Sequence, residues 1–209
     1  MEILLSTAFF PPISYIKQLV GTKTVYLEQN ENYIKKTYRN RCRILAANGV
    51  MNLSVPVVVA TKKKALIRDV QIDYATNWQK QHFKSIESAY RSAPFYEYLI
   101  GDFEPFFTRN YKYLFDYNLE IINAISGILE ICPNIKLTDD YKTNPQNCID
   151  LRNKIVPKAE ELQYKVVVIE YSQVFSDKHG FKNDLSCLDL LFNLGSEAYT
   201  YLIDKYSGK

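Results

Sequence analysis

Several motifs that commonly mark an enzyme are missing from this chain of 209 residues, which holds only seven glycines. It has no glycine-rich phosphate loop of either common kind, no Gly-x-Ser-x-Gly elbow and no His-Glu-x-x-His sequence. These absences argue against a P-loop, a dinucleotide fingerprint, an α/β-hydrolase elbow and a zinc-protease helix. Any chemistry must therefore come from residues that are dispersed along the sequence.

Histidine and cysteine are scarce and scattered. The two histidines are His82 and His179, and no Cys-x-x-Cys pair occurs among the four cysteines, which are Cys42, Cys132, Cys148 and Cys187. Because a zinc site needs several such ligands at close spacing, we expect no metal site, and nothing indicates another cofactor. The cysteines are typical of buried, reduced thiols, which predicts a cytoplasmic location.

Long apolar runs and a strong net charge are also absent. No apolar run is long enough to span a bilayer, and the first residues lack the basic region and cleavage site of a signal peptide, so we expect neither. The formal charge of +3 is too small to indicate nucleic acid or an anionic membrane as a partner. The sequence leaves the oligomeric state open.

The composition is typical of a soluble globular protein. Hydrophobic residues make up 47% and charged residues 23% of a length that one sizeable core can accommodate, which predicts a single domain over residues 1–209. Seventeen tyrosines and eleven phenylalanines can supply core volume, and tyrosine can also line a polar pocket.

Apolar periodicity predicts strands that alternate with helices. Predicted strands cover residues 3–5, 25–27, 65–72, 135–137 and 164–171. Predicted helices cover residues 13–20, 76–90, 110–131, 148–154, 186–193 and 196–206, with Thr76 and Gln79 matching a capping box. This alternation predicts an α/β fold whose mixed β-sheet includes an antiparallel hairpin and is flanked by helices. The polar stretch 28–36 is long for a connection and is a candidate ligand loop.

The hairpin is predicted from Tyr38–Val59, where Asn48-Gly49 separates two apolar-alternating runs. A type I′ turn at Asn-Gly makes the numbers of paired residues sum to 97, so that Arg43 would face Ser54. Side chains alternate along a strand, which places Arg39, Arg41 and Arg43 on one face.

Two interpretations of these three arginines stay open. Guanidinium groups offer a planar fork of donors suited to phosphate or carboxylate, which indicates an anion-binding face. Charged side chains on an edge strand are often only a solvated face that resists aggregation, and from these residues alone we prefer this second interpretation.

Other candidate residues lie on two predicted helices. Trp78 and His82 are one turn apart, so His82 is either a core-edge residue under the indole or a group that serves catalysis or ligand binding. Asp189 and Asn193 are also spaced i, i+4, which is consistent with a site wall and, as we prefer, with a structural hydrogen-bonded pair.

Four patches of sequence, in the same order, resemble the WbqC-like proteins. They are Thr7-Ala8-Phe9-Phe10-Pro11-Pro12-Ile13-Ser14-Tyr15; residues 38–44 with 53–57; Asn77-Trp78, His82, Ser85-Ile86-Glu87, Tyr90 and Ala93-Pro94; and Leu185-Ser186 with residues 189–193, Gly195 and Glu197. The order and the near-complete coverage make this resemblance specific, although no single patch would be.

The resemblance implies a role in the synthesis of surface polysaccharide. WbqC-like proteins occur in gene clusters for such polymers, O-antigen included, and have been proposed to transfer glycine or another acyl group to a sugar. The family positions carried onto this chain are Pro12, Asn40, Arg41, Arg43, Trp78, His82, Tyr90, Asp189 and Asn193. The chain departs from the family where many members have a His-Gln-Pro-x-Tyr-Leu-Pro run, because Ser6-Thr7-Ala8-Phe9-Phe10-Pro11-Pro12 stands there.

Three functions follow as hypotheses. The first is a transferase that moves a small acyl or aminoacyl group onto an activated sugar, with His82 as general base and Arg41 and Arg43 binding phosphates or a carboxylate. In it, Asn40, Trp78, Tyr90, Asp189 and Asn193 complete the substrate site. The second is a protein that binds a nucleotide or sugar nucleotide. The third is a non-enzymatic scaffold in the same pathway.

Overall fold

Strands and helices alternate along the chain, and the computed structural model describes residues 2–58, 65–143, 145–157 and 169–204. The strands are β1 (Glu2–Ser6), β2 (Thr24–Glu28), β3 (Arg41–Ala46), β4 (Gly49–Ser54), β5 (Ile135–Leu137) and β6 (Ile149–Asp150). The helices are α1 (Ile13–Gly21), α2 (Trp78–Tyr90), α3 (Tyr96–Phe103), α4 (Pro105–Thr108), α5 (Leu114–Ile128), α6 (Ser176–His179), α7 (Cys187–Leu194) and α8 (Glu197–Asp204).

A parallel sheet of four strands organises the fold. Its order is β5-β2-β1-β6, with Ile3 paired to Val25 on one side and to Ile149 on the other. The sheet thus grows first to one side of β1 and then, at β6, to the other. In sheets of this kind the crevice for a ligand lies at the carboxyl ends of the strands where the order reverses. Here that position is between β1 and β6.

The predicted α/β class is confirmed, with parallel pairing in this sheet and antiparallel pairing in the β3–β4 hairpin. One face of the parallel sheet is fully apolar, because Ile3, Leu5, Val25 and Leu27 are at most 1% exposed and belong to the core. On the other face Leu4 pairs with Tyr26, which is only half-buried. The parallel sheet is therefore asymmetric, and the less covered face is where polar residues gather.

The hairpin forms, but its predicted register is wrong by two residues. Arg41 pairs with Ser54 and Ala46 with Gly49, so paired numbers sum to 95 and Ala47 and Asn48 occupy the turn. Gly49 carries the positive φ of +104°, whereas Asn48 has none, which is typical of a type I turn followed by glycine rather than of type I′. Because the slip is two residues, every side chain keeps its predicted face.

Other predictions of local structure are wrong, because contacts with distant parts of the chain override the sequence pattern. Helix α2 begins at Trp78 without a side-chain cap, and the amide of Gln79 instead donates to the carbonyl of Arg109 at 2.7 Å. The predicted strand at 65–72 is a 3₁₀ turn, Ile67–Asp69, with isolated bridges, and the predicted helix at 148–154 holds strand β6. Most of the strand predicted at 164–171 lies outside the described residues.

The predicted burial of the cysteines is confirmed only in part, whereas the aromatic residues do contribute to the core. The prediction of buried thiols is confirmed for Cys42 and Cys187 and wrong for Cys132, which is exposed. Aromatic rings do supply core volume, as when Phe10 stacks on Phe107 with centroids 5.7 Å apart. No helix among the described residues is long and apolar enough to cross a membrane.

Candidate functional site

Buried charges meet at the carboxyl end of β1. The Arg39 guanidinium, 2% exposed, donates to both carboxylate oxygens of Glu31, with Nε–Oε1 at 2.8 Å and Nη2–Oε2 at 2.6 Å. Nη2 also donates to the Ser6 hydroxyl at 2.6 Å. Planar bidentate pairs of this kind fix both partners, so Arg39 holds the loop 28–36 against the sheet.

A second buried arginine stands directly after β6. Arg152 donates to Glu28 at 3.1 Å and to Asp150 at 2.6 Å, and its guanidinium lies 4.7 Å from the Tyr141 ring centroid. Arg39, Arg152 and Tyr38 line a narrow crevice of about 10 Å³ at the switch between β1 and β6. The sequence patterns single out neither Arg152 nor its pairing with Glu28, since the two residues are 124 positions apart.

Arg41 and Arg43 lie on one face of the hairpin, as predicted. Both are half-buried, and within the described chain their side chains donate to uncharged groups, the Ser54 hydroxyl at 3.2 Å and the Pro157 carbonyl at 3.4 Å. Neither has an ion-pair partner there. Burial raises the pKa of Tyr38, and a hydrogen bond with Arg43 counteracts part of this rise. Tyr38 thus connects Arg43 to the crevice.

His82 lies in an aromatic environment on helix α2. Its ring centroid is 5.2 Å from that of Trp78 and 6.1 Å from that of Phe9, and its Nδ1 has no hydrogen-bond partner. Burial lowers the pKa of His82 to about 4, so the ring is neutral at pH 7. Phe9 stacks on Tyr117, whose pKa is raised by burial and, to a smaller extent, by an electrostatic contribution from Cys42. Cys42 lies on the hairpin face opposite Arg41. No described hydrogen bond or ring contact joins His82 to Arg41 or Arg43.

The low pKa of His82 gives a stability prediction. Between pH 6.5 and 4 the unfolded chain binds the proton that the folded protein excludes, so stability rises with pH through this window. We expect His82→Gln to remove a loss of roughly 3 kcal/mol that the wild type shows on going from pH 7 to pH 4. Urea unfolding of both proteins at each pH measures the difference. Equal pH profiles for the two would contradict it.

Several of the predicted site residues have a buried polar atom that lacks a hydrogen-bond partner. Six buried side-chain atoms among the described residues lack a hydrogen-bond partner: Asn40 Oδ1, Trp78 Nε1, His82 Nδ1, Asp189 Oδ1, Thr7 Oγ1 and Asn118 Oδ1. The first four belong to predicted site residues. Buried polar groups are normally satisfied, and exceptions are typical of places where a water or ligand completes the network.

Tyr90, Asp189 and Asn193 are brought together inside the core. The Asp189 carboxylate accepts from Tyr171 at 2.5 Å and from Gln173 at 2.8 Å, and burial raises its pKa. The Asn193 amide donates to the backbone carbonyl of Asp189 at 2.7 Å, and the Tyr90 hydroxyl accepts from Leu45 N. These contacts tie α7 to Tyr171 and Gln173 and α2 to the hairpin, and the bond between Asn193 and Asp189 is a side-chain-to-backbone bond within α7.

A protein-family model matches most of the chain. The model of the WbqC-like protein family matches residues 7–165. The chain belongs to the WbqC-like protein family. The matched segment contains β3, α2 and the Arg39 and Arg152 networks, and it ends before Asp189 and Asn193.

One relative covers nearly the whole chain. It is an uncharacterized protein of Mycobacterium tuberculosis, 26% identical over 222 residues, which span 95% of this chain and 96% of the relative. No solved structure matches this WbqC-like chain. No cluster of three or more metal-ligating side chains occurs in the part of the chain that the structure describes.

Proposed function

We propose that this WbqC-like protein is a transferase of cell-surface polysaccharide synthesis. It moves a small acyl or aminoacyl group, glycine being one candidate, from an activated acyl donor of the thioester class onto an activated sugar. The sugar amine or hydroxyl attacks the acyl carbonyl carbon, its proton passes to the general base, and the thiolate of the donor leaves.

The observation that carries the proposal is the pair Arg41 and Arg43, two half-buried guanidinium groups that form no salt bridge in the described chain. Burial raises the pKa of the Asp184 carboxyl, and Arg43 is close enough to counteract part of this rise. Guanidinium groups of this kind suit the phosphates of an activated sugar or the carboxylate of an acyl donor.

The position of the pair in the fold supports this proposal. Arg43 contacts Tyr38, and Tyr38 lines the crevice at the switch between β1 and β6. Parallel sheets bind ligands at such a crevice, so an anion held by Arg41 and Arg43 would lie beside the usual ligand position of the fold. The crevice itself holds only about 10 Å³, which leaves the hairpin face as the accessible side.

His82 is the base that we propose for the reaction. Its unpartnered Nδ1 is the feature that supports this role. Strand β3 separates the aromatic side of the hairpin, where His82 lies, from the side that carries the guanidinium groups of Arg41 and Arg43. The acceptor would therefore approach from the Phe9–Trp78 side. Asn40 and Trp78 have unsatisfied polar atoms of their own and are proposed to orient it.

Removing the guanidinium groups is expected to weaken anion binding. Arg41→Gln and Arg43→Gln should each lower the affinity for UDP-glucose by about tenfold or more, since a hydrogen bond to a charged group contributes roughly 1.5–3 kcal/mol. Isothermal titration calorimetry measures this directly. Arg91→Gln, on the exposed end of α2, is the matched control and should bind as the wild type does. Unchanged affinity in both site variants would contradict the anion site.

A nucleotide- or sugar-nucleotide-binding protein without transferase activity is the second candidate, favoured by the strand order of the parallel sheet. Complementation separates the two functions. If the protein is a transferase, the His82→Ala variant should still bind UDP-glucose. Surface polysaccharide from cells complemented with this variant should lack the extra mass of the transferred group. Retained modification would remove His82 from the mechanism, and equal polysaccharide mass with and without the wild-type gene would favour the binding protein.

A further inference from the structure

A cavity of about 320 Å³ lies on the less covered face of the parallel sheet. Residues of β1 and β2 line the cavity together with residues 137–140, 142 and 145–148. The cavity volume is at the lower end of the range for small-molecule sites, which is about 300–1,000 Å³. The residues that the argument uses are Glu2, Leu4, Tyr26, Glu28, Asp139 and Asp140.

The floor of the cavity is apolar and aromatic. Leu4 and Tyr26 are paired neighbours on β1 and β2, and their side chains lie on the same face. Tyr26 is half-buried, yet within the described chain its ring makes no aromatic or cation–π contact and its hydroxyl has no hydrogen-bond partner. An aromatic side chain with a polar tip and no internal partner is suited to contact a ligand that has both apolar and polar edges.

The walls of the cavity carry negative charge. Glu28 is neutralised by Arg152 at 3.1 Å, and Asp140 lies 3.9 Å from the ammonium group of Lys142. Among the described residues, Glu2 and Asp139 have no ion-pair partner. The net field in the cavity therefore repels phosphate and attracts a cation, and an ammonium group over an aromatic ring gains further from cation–π attraction.

We propose that this cavity binds a small polyhydroxylated ligand that carries a protonated amine, which by class is an amino sugar. The hydroxyl groups meet the polar rim, the ring lies on Tyr26, and the ammonium group faces Asp139, which follows β5 at the same end of the sheet as Glu28.

This inference goes beyond the proposed function. Leu4 and Tyr26 lie on the sheet face opposite the core that contains Ile3, Leu5, Phe9 and Trp78, whereas the acceptor of the transferred group is proposed to approach from the Phe9–Trp78 side. The cavity is therefore a second ligand site, separate from the acceptor site.

The cavity and the crevice between β1 and β6 are linked through one ion pair. Glu28 lines the cavity, while its partner Arg152 lines the crevice beside Tyr38 and Arg39. The proposed anion site at Arg41 and Arg43 lies beyond this crevice, so the acidic cavity and the anion site are separate and have opposite charge preferences.

The test is a titration of the ¹⁵N-labelled protein with glucosamine and, separately, with glucose. We expect glucosamine to shift the amide signals of residues 138–148 and to bind about tenfold more tightly than glucose, a difference of about 1.4 kcal/mol. Asp139→Asn should abolish this difference, because Asp140 is already paired with Lys142. Tyr26→Leu should weaken glucosamine binding by about fivefold, because it removes the ring.

Asp102→Asn, on the exposed surface of α3, is the matched control and should bind glucosamine as the wild type does. Equal affinity for the two sugars, or an absence of shifts in residues 138–148 with glucosamine, would overturn the proposal. The titration contains no nucleotide and no transfer step. Its failure is therefore distinct from a failure of UDP-glucose to bind at Arg41 and Arg43, which would overturn the proposed function instead.

Discussion

Glu31→Ala is expected to lower the free energy of unfolding by about 3–5 kcal/mol, because it leaves the Arg39 guanidinium buried without its carboxylate. Arg39 and Glu31 are 2% and 5% exposed, so water cannot replace the lost partner. The Ser6 hydroxyl still accepts from Arg39 and limits the loss. Urea unfolding of the purified variant, followed by far-UV circular dichroism, measures the change.

The control for this prediction is the surface pair Asp140–Lys142. Its side chains are 70% and 67% exposed, so Asp140→Ala should change stability by no more than about 1 kcal/mol. Glu31→Gln combined with Arg39→Gln completes the test, because it removes both charges together. The double variant should be less destabilised than the sum of the two single variants. A loss below about 1 kcal/mol for Glu31→Ala would contradict the buried-pair interpretation.

Alternation along the hairpin predicted the shared face of Arg41 and Arg43, but it could not predict the different environments of the three arginines. Arg39 precedes the strand and is buried by Glu31, which stands in an irregular loop with no periodicity to reveal it. The loop 28–36 was predicted as a ligand loop, and the structure shows that two of its acidic residues, Glu28 and Glu31, are occupied by Arg152 and Arg39. Partners from distant parts of the chain are set by the fold, not by local pattern.

The hairpin register shows a second limit of sequence reasoning. A slip of two residues leaves every apolar side chain on its original face, so the hydrophobic pattern is equally satisfied by paired numbers that sum to 97 or to 95. The choice falls to the turn, where Asn48 avoids a positive φ and Gly49 accepts it. The pattern thus predicted the strands and their faces, whereas the turn geometry fixed the pairing.

The candidate site was predictable only in part. The resemblance to WbqC-like proteins singled out residues that share unsatisfied polar atoms, such as Asn40, Trp78 and His82, but it could not show that β3 divides them from Arg41 and Arg43. The acidic cavity has no motif, since it is assembled from strand and loop positions that only the parallel pairing brings together. The roles of these residues, the single domain and the cytoplasmic location stay predictions.

Gly195→Ala is expected to destabilise the protein by about 3–5 kcal/mol, for two separable reasons. Gly195 ends helix α7 with φ +53° and ψ −126°, a backbone conformation that residues with a side chain rarely adopt. A Cβ atom at this position would also lie 2.3 Å from Cδ1 and 2.5 Å from Cγ of Phe95. The Phe95 backbone N donates to the Phe192 carbonyl at 2.9 Å, which holds the Phe95 backbone beside α7, so relief of the clash requires the ring to rotate out of its present position.

Gly180→Ala separates the cost of the backbone conformation from the cost of the steric clash. Gly180 also has a positive φ, +66°, but a Cβ atom there would meet no atom within 4 Å, so only the backbone term of about 1–3 kcal/mol should appear. Thermal and urea unfolding of both variants should therefore show the larger loss at Gly195. Combining Gly195→Ala with Phe95→Leu should recover part of it, because the smaller side chain leaves room for the methyl group. Equal losses at the two glycines would mean that the Phe95 ring moves aside freely and that the steric contact at Gly195 contributes little to stability.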